Sequence, residues 1–191
     1  MIQEIIVTTQ NEDGTTHIAP MGIREENGLI VIAPFKPSAT LENIQRNKSA
    51  VVNRIDDVRI FAGCLTGRKD WPLVATEKIT GQRLEAALSH VELEMESFED
   101  DELRPRFYLK PVIEITHSAF KGFNRAQSAV LEAAILVSRL HMLPEEKIKQ
   151  ELEYLTIAID KTAGENEKIA WQWLMDKIEN FRQETKESET V

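Results

Sequence analysis

Hydrophobic and polar positions divide the chain into two patterns. Up to about residue 120, short β-branched runs alternate with turn signals; beyond Lys121-Gly122, apolar residues recur at three- and four-residue spacing. The opening run IQEIIVTT (2–9) ends at Asn-Glu-Asp-Gly, a hairpin signal, and returns as THIAPMGI (16–23). A second turn over 25–28 leads into LIVIA (29–33). Two hairpins in succession predict an antiparallel meander. No glycine-rich dinucleotide fingerprint follows either strand.

From Ala33 the chain reads APFKPSATLENIQRNKSAVVN. The prolines at 34 and 37 break the strand, a helix starts after Ser38 with Leu41 and Ile44 on one side, and SAVVN (49–53) is a buried strand. Residues 55–65 suit either a short helix or a further strand, and 67–74 form a loop. LSHVELEMES (88–97) shows the clearest period-two alternation, which predicts a long strand whose glutamates form a solvated face. After an acidic turn, RFYLKPVIEI reads as a further strand pair interrupted at Pro111, at an edge or bulge.

The second pattern is helical. Residues 124–143 have an asparagine cap and an alanine-rich interior. Pro144-Glu145-Glu146 opens a helix to about Lys161, Thr162-Ala163-Gly164 ends it, and 167–181 form a third. Trp171 and Trp173 suit helix packing, although two residues apart they are not expected to face one core.

Composition narrows the partners. The chain has 191 residues, 42% hydrophobic and 29% charged, enough for a folded core. A net charge of -9 argues against a nucleic-acid partner, since phosphate backbones require a basic face. One cysteine, Cys64 in an apolar setting, permits no intramolecular disulfide, and the four histidines lack metal-site spacing. The opening residues carry no basic, apolar leader pattern, and no run reaches a membrane-spanning length; the expected location is cytoplasmic.

The stretch after LIVIA carries the candidate chemistry. A strand end, a proline-held loop with Lys36, Ser38 and Thr40, and a helix N-terminus together suit an anion, because first-turn amides lack intrahelical partners and the helix dipole favours negative charge there. Equally, Ser38 is a plain N-cap and Lys36 a solvated loop residue.

With THIAPMGI, FKPSATLENI and FNRAQSAVLEAAI in place, the chain resembles an uncharacterised, largely archaeal and bacterial family related to flavin reductases, with the FMN-binding split-barrel fold. The early motifs are shared with flavin reductases broadly; FNRA (123–126) and KTAG (161–164) are more family-specific. The resemblance implies an α+β, mainly β fold: a split β-barrel over 1–120, a helical subdomain over 121–186 packed on the barrel or on a partner subunit, and a frayed tail at 187–191. It also implies a homodimer with FMN at the subunit interface. Carried onto this sequence, Ala19, Pro20, Met21 and Gly22 lie against the flavin ring, where small residues allow close backbone approach. The phosphate falls on Lys36, Ser38, Thr40 and Asn43. Asn53 is expected at the ribityl chain or ring edge, and Lys121 and Arg125 supply further positive charge. His17, just before the ring-facing segment, is a candidate proton donor or a plain surface residue. The implied activity is flavin-dependent hydride or electron transfer from NAD(P)H or another small reductant. The alternative is a non-catalytic flavin-binding or interaction module, its pocket plugged by Trp71 or Phe123. A third, weaker reading is oxidation of a pyridoxamine phosphate or a pterin.

Overall fold

The computed structural model describes residues 1–189. The chain divides into two units. The first comprises Met1–Asp56 and Asp70–Phe120; the second takes Asp57–Lys69 together with the chain from Lys121 onward. The helical unit therefore draws a piece from inside the segment expected to be all barrel.

Six strands build the barrel of the first unit. Strands β1 (Gln3–Gln10), β2 (Thr16–Glu26) and β3 (Leu29–Ile32) form the expected meander. The β2–β3 turn is Asn27-Gly28, both with positive φ (53° and 81°), the type I′ geometry that matches strand twist in a two-residue hairpin. Strands β4 (Ser49–Arg54), β7 (Ser89–Glu99) and β8 (Arg106–Thr116) complete the ladder in the order β1-β2-β3-β8-β7-β4. β4 pairs back onto β1 and closes the barrel, which removes both sheet edges. The run RFYLKPVIEI is one strand, not a pair: Pro111 sits opposite Leu93, beside a register shift that absorbs its missing N–H.

Alternate residues of each strand fill the barrel, among them Ile5 and Val7, Ile30 and Ile32, Val91 and Leu93, Phe107 and Leu109. Leu41 and Ile44 of helix α1 (Ala39–Asn47) join the same core. The opposite face of β1 and β4 is buried as well: Ile6, Thr8, Val51 and Asn53 are all 2% exposed or less. A short hairpin, β5 (Leu73–Ala75) and β6 (Gln82–Leu84), lies over it. Thr8 Oγ1 donates to the Gln82 carbonyl (2.6 Å), and the Leu84 amide donates to Asn53 Oδ1 (2.8 Å). This second layer explains why SAVVN reads as a continuous apolar run.

In the second unit, residues 55–65 resolve into helix α2 (Arg59–Leu65). Helix α3 (Arg125–Val137) ends earlier than its periodicity predicts and passes into a 3-10 turn, Leu140–Met142. Helices α4 (Glu145–Thr162) and α5 (Glu165–Glu189) follow. Residues 187–189 of the expected frayed tail are therefore helical; Thr190 and Val191 lie outside the described residues. The core centres on the small faces Ala126, Ala129, Ala133 and Ala134 of α3, which allow close helix approach. Both Trp171 and Trp173 pack against this one cluster, contrary to the spacing argument, because α5 is flanked by both α2 and α3.

Asn124 ties the unit together. Its Oδ1 accepts the Ala126 amide (2.7 Å) as an N-cap, and its Nδ2 donates to the Thr162 carbonyl (3.0 Å) at the end of α4. The Gly164 amide then donates to Glu167 Oε2 (2.9 Å), where a Cβ would stand 2.9 Å from that oxygen. The FNRA and KTAG motifs are thus the two halves of one clasp.

Candidate functional site

The segment between β3 and α1 is held by its own hydrogen bonds. Ser38 is the N-cap: its Oγ accepts the Leu41 amide (3.3 Å) and its carbonyl the Glu42 amide (3.2 Å). That leaves the Ala39 and Thr40 amides of the first turn without an acceptor among the described residues. Thr40 is 1% exposed, yet its hydroxyl takes no part in the hydrogen bonds of the described residues. A nearly buried hydroxyl beside two open amides at a helix N-terminus is a donor set for an anion.

The other residues expected at the phosphate are already engaged. Lys36 Nζ pairs with Asp100 Oδ1 (2.5 Å), and the Lys36 amide donates to the Leu103 carbonyl (2.9 Å). The lysine holds the Asp100 carboxyl below its ordinary range. Asn43 is buried and anchors α1: its Nδ2 donates to Thr9 Oγ1 (3.0 Å) and Asn11 Oδ1 (2.8 Å), and its Oδ1 accepts from Arg46 Nη2 (2.5 Å). Asn53 is 0% exposed, with its Nδ2 toward Ile6 O and Thr8 Oγ1 (3.2 Å each) and its Oδ1 on the Leu84 amide. It cements β1, β4 and β6 and has no surface to offer a ribityl chain.

Ala19, Pro20, Met21 and Gly22 lie in β2 opposite Val7, Ile6, Ile5 and Glu4, all half-buried. A Cβ at Gly22 would come within 2.9 Å of Ile2 Cγ2, so only glycine leaves that face flat without moving Ile2. His17 is half-buried in the same strand, opposite Thr9. Lys121 and Arg125 are exposed and belong to the second unit. Burial pushes the Cys64 thiol up to about 11, against the opposing charge of Lys69, which leaves it protonated and unreactive at neutral pH. Among the described residues no cluster of histidine, cysteine or carboxylate side chains suits a metal ion.

Two features were not anticipated. The first is a cleft of about 200 Å³ whose lining includes Arg24, Arg104 and Arg106. The second is a buried polar line on the outside of the barrel. Glu92, 0% exposed, accepts the backbone amides of Glu77 (2.6 Å), Lys78 (2.7 Å) and Ile79 (3.0 Å). The expectation that this glutamate belongs to a solvated face is therefore wrong; Glu94 and Glu96 do fit it. Burial alone would raise the Glu92 pKa, but the three amides and His90 outweigh it and hold the carboxyl below its usual range. His90 Nε2 lies 3.3 Å from Glu92 Oε1, and His90 Nδ1 lies 2.9 Å from Nε2 of exposed His117. The two imidazoles are near coplanar (8°) with centroids 5.0 Å apart, as an in-plane N···N hydrogen bond requires.

Comparison with known proteins gives the following. Residues 3–118 match the N-terminal domain model of a protein family of unknown function, DUF447, and residues 124–176 match that family's second model. Among solved structures, an FMN-bound DUF447 protein from Methanosarcina mazei superposes with a TM-score of 0.79 at 23% identity, over 92% of this chain and 94% of that one. The 2-nitrobenzoate 2-nitroreductase of Pseudomonas fluorescens gives 0.52 at 23% identity, over 60% of this chain and 64% of that one. The styrene monooxygenase flavin reductase of Pseudomonas putida S12 gives 0.51 at 14% identity, over 61% and 82%. These likenesses establish the flavin-reductase-like split barrel as the fold. No curated protein matches the sequence.

Proposed function

This chain belongs to the DUF447 family, and from that premise we propose that it binds FMN non-covalently and acts as a flavin-dependent oxidoreductase. The observation that carries the reading is the open donor set of the Ala39 and Thr40 amides with the Thr40 hydroxyl. It is shaped for a phosphate, on a fold shared with an FMN-bound relative and with flavin reductases. The half-buried β2 segment, flat at Gly22, is the face for the planar ring. Bound FMN would supply hydride- and electron-transfer chemistry; the chain's share is to bind and orient it and to keep water from the ring. On this reading the active assembly is a homodimer with flavin at the subunit interface, and the reductant is NAD(P)H or another small donor.

The test is the visible spectrum of the purified protein before and after anaerobic addition of NADH or NADPH. Flavin bands that bleach support the oxidoreductase. Bands that persist with both donors favour a flavin-binding module. If no bands form even after incubation with FMN, the proposal fails.

A further inference from the structure

The arginine cleft shares Gly22 with the ring-facing segment of β2 and otherwise lies beside the site described above. It is bounded by Gly22 of β2, Ala33 at the end of β3, and the β7–β8 connection. The β2-β3-β8 ladder brings Arg24 together with Arg104 and Arg106, 80 or so residues on in the chain.

One of the guanidinium groups is firmly placed. Arg104 donates through Nε and Nη2 to the Ala33 carbonyl (3.2 and 3.1 Å) and lies over the Phe35 ring at 4.5 Å. Its Nη1 edge takes no part in those bonds. The backbone turn beneath it is fixed by Asp101 Oδ1, which accepts the Leu103 (2.9 Å) and Arg104 (2.6 Å) amides. Arg24 pairs with Glu26 at 3.4 Å, and Arg106 interacts with the Tyr108 hydroxyl and lies 3.9 Å from Glu99, exposed contacts that a better acceptor displaces. Three guanidinium groups line the cleft against one lining carboxylate, Asp101; Glu26 and Glu99 pair with Arg24 and Arg106 at its margin and balance the charge until a ligand displaces them. Arginine forks match the oxygens of phosphate two at a time, and a phosphomonoester carries close to two negative charges at neutral pH. The cleft's volume admits such a group but is below the size of pockets that enclose whole ligands.

We propose that the Arg24–Arg104–Arg106 cleft is a phosphomonoester subsite for a second ligand, distinct from FMN. The inference rests on the FMN reading only for that ligand's use, as a phosphorylated reductant or substrate brought next to the flavin. A nucleotide bearing a 2′-phosphate and a small phosphorylated substrate share this chemistry. A dinucleotide with only a bridging diphosphate does not.

The experiment is calorimetric titration of the FMN-incubated protein with inorganic phosphate, 2′,5′-ADP and ADP-ribose, with flavin content read separately by absorbance. Inorganic phosphate and 2′,5′-ADP are expected to bind, with ADP-ribose at least about tenfold weaker. Arg104→Gln and Arg106→Gln should each weaken 2′,5′-ADP about tenfold, while Lys110→Gln, an equal loss of surface charge, leaves it unchanged. A tighter grip on 2′,5′-ADP than on inorganic phosphate assigns the site to a nucleotide; equal affinity assigns it to a small phosphorylated substrate. The proposal is overturned if no phosphomonoester binds, if the arginine variants bind as the parent does, or if they lose FMN, which would make the cleft the flavin's own phosphate site. Protein that never takes up FMN but binds 2′,5′-ADP through these arginines would refute the flavin reading and leave the cleft intact.

Discussion

Replacing Glu92 by glutamine keeps the shape of the side chain and removes its charge, so it isolates what the buried carboxylate does. Oε1 accepts the Glu77 amide and faces His90; Oε2 accepts the amides of Lys78 and Ile79. If the glutamine oxygen takes the Oε2 position, two bonds survive as neutral ones, and the new NH2 meets the Glu77 N–H donor to donor. A hydrogen bond to a charged group is worth roughly 1.5–3 kcal/mol and a neutral one about 1. One bond lost and two weakened gives about 2.5–7 kcal/mol, a large fraction of the roughly 5–15 kcal/mol that holds a typical domain. In thermal unfolding this is a fall of roughly 5–28 °C, at about 2–4 °C per kcal/mol for a chain of this size.

The pH dependence gives the sign. Glu92 has a depressed folded pKa, so its stabilisation is present above the unfolded value of about 4.3 and is lost as pH falls through the lower folded value. The parent and Glu92→Gln should therefore differ most at neutral pH and converge in acid. Amide exchange at residues 77–79 should rise in the variant at pH 7. Equal melting temperatures at pH 7, with unchanged exchange at those three amides, would refute the claim that the carboxylate clamps the β5–β6 hairpin.

Two further outcomes follow from the same accounting. Thr40→Ala should weaken FMN by about tenfold or more, the worth of one charge-assisted hydrogen bond, without changing the melting temperature of the flavin-free protein; unchanged affinity would place the phosphate elsewhere, and Lys36→Ala should matter less because Asp100 already holds that ammonium. The His117 pKa is held below its ordinary value by partial desolvation of the ring and by neighbouring Arg83, and only partly restored by Glu77, so its protonation costs stability as pH falls below about 6.5; His117→Gln should flatten that part of the stability profile, and an imidazole titration by NMR placing His117 above 6.5 would contradict this account.

How much of this the sequence carried depends on what covers each face. The hairpins, the helix after Ser38 and the three C-terminal helices follow from turn chemistry, capping and periodicity, all of which are local. Period-two alternation in LSHVELEMES correctly predicts a strand, but it says only which residues share a face. That Glu92 is roofed by residues 77–79 is a fact of tertiary structure, and the buried glutamate looks identical to its exposed neighbours Glu94 and Glu96 in the string. The arginine cleft was hidden for the same reason. Arg104-Pro105-Arg106 is visible as a basic pair, but nothing local joins it to Arg24 across β3.

The residues expected at the site separate by one physical criterion, their unspent hydrogen-bonding capacity. Asn43 and Asn53 both resemble ligand donors in the sequence, and each has both its amide nitrogen and its oxygen committed inside the fold. To serve a ligand, either of them would have to break bonds whose loss leaves buried groups unpaired, at about 1–3 kcal/mol for each group. The Thr40 hydroxyl and the Ala39 and Thr40 amides carry no such cost, because their capacity is not spent, and Arg24 and Arg106 would give up only exposed contacts. The motifs that mark the family at FNRA and KTAG thus build the helical unit through Asn124 and Thr162, while the donors open to a ligand sit in the less distinctive FKPSATLENI loop. Motif specificity and ligand contact are separate properties in this chain, and the second is decided by which polar atoms the fold leaves unpaired.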